Sequence, residues 1–272
     1  MNIESLNNTP AWEWPVGAGT LLRKTILDRQ APPSDRTLAA ELAGDLVAMD
    51  DPMADLLLSV VQDAGEAEEL RARAAISLGP VLEETDTEGF DSPISDPPIS
   101  RLVFERIRTT LRKIHDDAGA PKLVRRRALE AAVRSPRPWQ REAIRAASAN
   151  PDPEWQLTAV FCMGWMDGFE AQILKLLKSP DPDIHREAVR AAGQQSIDAA
   201  WGHVTRLVES PTTERSVLLA AIGAVVGIRP YEAPDILEDL LDSGDQELAD
   251  AVREAMIVTD FDEDAEIDDA PF

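Results

Sequence analysis

The 272-residue chain predicts an all-α fold, a right-handed α-solenoid of about six helix pairs with further helices at its ends. Three observations carry that expectation. A ten-residue pattern with alanine in fifth place recurs as DRTLAAELAG from Asp35, LRARAAISLG from Leu70, VRRRALEAAV from Val124, WQLTAVFCMG from Trp155, IHREAVRAAG from Ile184, SVLLAAIGAV from Ser216 and ELADAVREAM from Glu247. The shared alanines (Ala39, Ala74, Ala128, Ala159, Ala188, Ala220 and Ala251) are spaced 35, 54, 31, 29, 32 and 31 residues apart. Such a period marks units that stack because none buries its own apolar face. Second, apolar residues make up 44% of the chain and aromatics only 5%, so Ala, Leu, Val and Ile build the core, a mixture suited to close-packed helices. Third, the stretch after the pattern repeats as well. LLKSPDPD from Leu176, LVESPTTE from Leu207 and LLDSGDQE from Leu240 place Ser179, Ser210 and Ser243 31 and 33 residues apart.

Residues 1–33 form an amino-terminal segment. It holds TPAWEWP from Thr9, carries a helix from about Val16 to Arg29 and stops at Pro32 and Pro33. Trp12 and Trp14 are expected to fold back over the exposed end of the stack, with anchoring of a partner as the other reading. Residues 34–259 are the repeat solenoid. In each unit the alanine lets a neighbouring helix approach closely, and proline or glycine after the serine ends the preceding helix. Asp or Thr ahead of the next pattern is placed to accept from unpaired amides. The spacing of 54 leaves roughly 23 surplus residues over the period. They fall in EETDTEGFDSPISDPPIS, expected as a surface loop inserted over 83–100 and followed by an amphipathic helix from about Arg101 to Ile114. Residues 260–272, DFDEDAEIDDAPF, hold seven acidic and no basic side chains and are expected to be a disordered tail.

The units resemble HEAT repeats, specifically the short HEAT-like type found in phycocyanobilin lyases, whose first helix reads like VRRRALEAAV and IHREAVRAAG. The resemblance runs from about Asp35 to Met256 and implies an armadillo-type superhelix acting as a binding scaffold. The Ser216 unit departs from it by lacking a charged residue near its start, and the insertion over 83–100 has no counterpart in the basic pattern.

The formal charge is −23 and unevenly placed: −13 over residues 1–100, +8 over 101–150 and −18 over 151–272. The summed field disfavours nonspecific binding to nucleic acid or anionic membrane. Arg125, Arg126, Arg127, Arg134, Arg137, Arg141 and Arg145 form the densest basic cluster. Two readings are open. They dock an acidic protein or peptide segment, phosphate groups or the chain's own tail, or they pair with carboxylates on neighbouring repeats.

Chemistry-bearing motifs are sparse. The histidines His115, His185 and His203 form no HExxH, and His185, second in its pattern, is expected to be exposed. Cys162 sits among apolar neighbours as a buried thiol, and GxSxG, GxGxxG and GxxxxGK are absent. The amino terminus lacks a signal-peptide pattern, so a cytoplasmic location is expected. The function expected is a non-catalytic protein-interaction scaffold without cofactor or metal, its concave surface basic at the centre. A nucleic-acid binder or HEAT-like DNA glycosylase, and a chromophore lyase-like protein, are the alternatives.

Overall fold

The computed structural model describes residues 2–90, 97–241 and 243–266, with side chains through Met256. The described residues are helical throughout, with turns and no strand. The chain divides into two compact units, Met1–Ala143 and Ile144–Phe272.

The first unit opens with α1 (Ile3–Asn7), a single 3-10 turn (Ala11–Glu13) and α2 (Ala18–Leu27). Next come α3 (Pro33–Leu42), α4 (Asp51–Gln62), α5 (Glu68–Ile76), α6 (Gly79–Glu88), α7 (Arg101–Asp116) and α8 (Lys122–Ala132). The alanine-patterned helices lie side by side, α3 on α5 and α5 on α8, and each is backed by the helix before it, α2, α4 or α7. At the amino-terminal end α1 packs on α3 and α2. Trp14 fixes that end: its indole N–H donates to the carbonyls of Leu6 (3.0 Å) and Thr9 (2.9 Å). Trp12 does not share the capping role expected of the pair, since its side chain is 80% exposed.

Helix α9 (Pro138–Ser148) runs across the division. The second unit continues with α10 (Pro153–Met163), α11 (Glu170–Leu176), α12 (Pro182–Gln194), α13 (Trp201–Glu209), α14 (Arg215–Ile228), α15 (Ala233–Leu241) and α16 (Gln246–Glu266). Here α12 lies between α10 and α14, and α14 packs on α16, while α11, α13 and α15 back α12, α14 and α16. The expected tail begins inside α16; the side chains after Met256 and all of residues 267–272 lie outside the described residues.

Burial shows why alanine recurs and also corrects its register. Ala39, Ala74, Ala128, Ala159 and Ala188 are fully buried, but Ala220 and Ala251 are only half-buried. In those two units the fully buried residues are Ala221 and Val252, so the pattern begins one residue later, at Val217 and Leu248. Two adjacent alanines are equivalent to a pattern of small residues, and the packing alone separates them. The tenth position meets the eighth position of the next unit. A Cβ on Gly44 would sit 2.9 Å from the Cβ of Ser77, and one on Gly193 would sit 2.5 Å from the Cα of Ala224. Only glycine allows that approach, and Ala224 is eighth only when the pattern starts at Val217.

The insertion also differs from expectation. Residues 83–88 belong to α6, which packs on α8 and α7 and buries Val81, Leu82 and Thr85. The surplus is therefore a helix plus a connection, Gly79–Ser100, of which 91–96 lie outside the described residues. Four buried positions in GPVLEETDTE, the first a glycine without a side chain, are too few to show a helical period. The far end of the connection is pinned by buried Ile99 and by the Ser100 N–H, which donates to Asp51 Oδ1 at 2.7 Å.

Candidate functional site

Each backing helix ends in the same turn. A side-chain oxygen accepts the backbone N–H two residues on, from Asp28 (2.9 Å), Asp63 (2.8 Å), Asp117 (2.8 Å), Asn150 (3.0 Å), Ser179 (3.2 Å), Ser210 (3.4 Å) and Ser243 (3.3 Å). These short polar side chains mimic a backbone turn and so punctuate the chain at the repeat spacing. Sequence spacing exposes the three serines; the acidic and amide members of the set emerge only from the geometry.

In four units the second pattern position then ties the unit to the turn before it. Arg36, Arg71 and Arg125 donate from Nε to the carbonyls of Ile26 (2.9 Å), Val61 (3.0 Å) and His115 (2.9 Å). Each acceptor is the penultimate residue of α2, α4 or α7, where the helix leaves carbonyls unpaired and favours a cation. Gln156 does the equivalent with its amide, donating to the Asn150 carbonyl at 2.8 Å. Arg36 also forms a bidentate pair with Glu66 (2.7 and 2.9 Å), both side chains nearly buried, at the side of an approximately 550 Å³ hollow between α3 and α5. That pairing raises the Arg36 pKa and lowers that of Glu66.

The arginine cluster divides among several tasks. Arg125 is the position-two donor just described, and Arg126 is buried. Arg127 pairs with buried Glu130 at 2.5 Å. Arg134 and Arg137 reach Glu83 and Asp86 of the inserted helix α6, each at 2.8 Å. Arg141 is half-buried, and Arg145 is exposed on the part of α9 assigned to the second unit. Sequence reasoning missed the acidic face of α6, because residues 83–88 read as loop. The Arg134 and Arg137 pairs are partly exposed, the geometry in which one carboxylate exchanges for another at small cost.

The remaining candidates follow their surroundings. Cys162 is buried in α10 as expected, and Trp155 is buried in the same helix. His115 is half-buried beside Trp139, ring centroids 5.8 Å apart, and burial lowers its pKa. His185 is half-buried instead of exposed, and its Nε2 lies 3.1 Å from Nε2 of His203. Among the described residues no three metal-ligating side chains come together, and no helix is long and apolar enough to cross a membrane. No protein-family model matches the chain, and no curated protein matches it.

Proposed function

We propose that the chain is a non-catalytic protein-interaction scaffold, a right-handed α-solenoid of about six HEAT-like pairs that presents its surface to an acidic protein or peptide segment. One observation supports the reading: within each unit the alanine helices repeat the same side-by-side packing and the same turn, while charge differs along the chain, +8 over residues 101–150 against −13 over 1–100 and −18 over 151–272. Evenly placed modules with variable charge suit recognition of an extended partner by charge and shape. The partner's carboxylates replace Glu83 and Asp86 on Arg134 and Arg137, exchanging ion pairs that each contribute about 0–1 kcal/mol.

The test is fluorescence anisotropy of a labelled synthetic Glu/Asp peptide titrated with the full chain at low salt. Glu83→Gln with Asp86→Asn should tighten binding several-fold, Arg134→Ala with Arg137→Ala should weaken it, and added salt should weaken both. Identical affinity in all three proteins would remove these arginines from the interface.

A further inference from the structure

At the second pattern position, three units of the first half carry arginine, a permanent cation, and the Trp155 unit carries an amide that does not titrate. The Ile184 unit carries His185 there, and its hydrogen bond goes to His203 on α13. The ring centroids are 5.4 Å apart and the planes cross at 81°. With Nε2 atoms 3.1 Å apart, the nitrogens point nearly head-on, the arrangement of an N–H···N hydrogen bond in which one ring donates and the other accepts. That bond exists only while at least one imidazole is neutral, since two protonated rings are both donors.

The surroundings sharpen this requirement. His203 feels Lys178, at the end of α11, and Arg206 on its own helix, both of the same sign as an added proton. Arg186, next to His185, pairs with Asp183, and Glu214 at the head of α14 accepts from Ser216 and Val217 of its own helix. Burial lowers both imidazole pKa values, and mutual repulsion lowers that of His203 further. The two helices share α14 as a support; α12 packs also on α10 and α11, and α13 on α15.

We propose that His185 and His203 form an acid-released latch holding α13 to α12. Above the ordinary histidine pKa of about 6.5 the latch is closed, with at least one ring neutral. As pH falls through the depressed folded values, the second proton breaks the N–H···N bond and sets two cations side by side. The α13 segment, Trp201–Glu209, then opens locally while the alanine helices α12 and α14 stay packed.

The experiment compares amide hydrogen exchange of the full chain at pH 7.5 and 5.0, corrected for intrinsic exchange, with imidazole NMR titration. Protection of α13 should fall several-fold relative to α14, because protonation favours the open segment wherever the folded pKa lies below the unfolded one. His203→Gln keeps a donor and an acceptor but does not titrate, so it should flatten that fall. Wild-type titration should show two coupled steps, the second well below the ordinary value. An equal loss of protection in wild type and His203→Gln would overturn the latch. So would two rings titrating independently near the ordinary value, a result that stands even if the variant fails to fold. Zinc added at pH 7.5 should leave α13 protection unchanged; a zinc-dependent gain in protection would make the pair a metal ligand instead.

Discussion

The two halves of the chain make the same turn with opposite placements of charge. In Met1–Ala143 the turn residue is an aspartate, the residues that precede the alanine helices, Pro32, Ala67 and Pro121, supply no side-chain cap, and an arginine at position two reaches back to the previous helix. In Ile144–Phe272 the turn residue is Asn150 or a serine, and the acid moves to the head of the next helix: Asp152, Asp181, Glu214 and Asp245 accept its amides. The first arrangement places a cation on helix carbonyls and the second an anion on helix amides, so each uses one end of the helix dipole. Net charge follows, with 18 basic and 24 acidic residues in the first half against 9 and 26 in the second. A repeat can therefore conserve its geometry while exchanging the chemistry that closes it.

Substitutions at position two separate the halves most strongly. Arg71 is 6% exposed, so Arg71→Ala leaves the Val61 carbonyl without its charged donor and opens a void; a loss of about 3 kcal/mol is expected in urea unfolding. Gln156→Ala removes a neutral, half-buried donor and should cost about 1 kcal/mol. Equal losses would show that the arginine and the amide serve interchangeably.

Register is the next test. Ala221→Leu should cost about 1–3 kcal/mol by overpacking a fully buried site, as should Ala188→Leu. Ala220→Leu, half-buried, should stay within about 0.5 kcal/mol. A reversed order for positions 220 and 221 would restore the pattern start at Ser216.

The smallest effect separates the halves by pH. Hydrogen bonding to Arg215 holds Asp245 down at about 2, and Asp198 beside Arg229 and Glu214 beside Ser216 are also lowered. In the first half the corresponding shift is that of Glu66. A carboxyl lowered in the folded state contributes stability that is present above its unfolded value, near 4, and is lost as pH falls through the folded one. Amide protection in α14 and α16 should accordingly decline earlier than in α3 and α5 between about pH 4 and pH 2, and Asp245→Asn should remove part of that decline. Parallel loss in both halves would mean that the helix-head acids add nothing to local stability.

Much of this architecture was legible because packing helices at a fixed spacing forces small residues to recur. The alanines, the serine turns and the buried Cys162 and Trp155 all follow from that constraint. Helix α6 was not legible, because its four buried positions sit among acidic residues, two of which meet arginines fifty-one residues on. The histidine pair was hidden for the same reason, two residues eighteen apart with no motif between them.

The amino-acid order alone determined the helical class, the repeat length and the kind of residue that must lie between neighbouring helices, since periodic burial leaves a periodic trace. Tertiary structure alone decided which of two adjacent alanines enters the core, which arginines are occupied, and that Trp14 caps the end while Trp12 faces solvent. Those outcomes depend on distances between residues far apart in the chain, and a local pattern carries no information about which distant groups will be brought within a hydrogen bond.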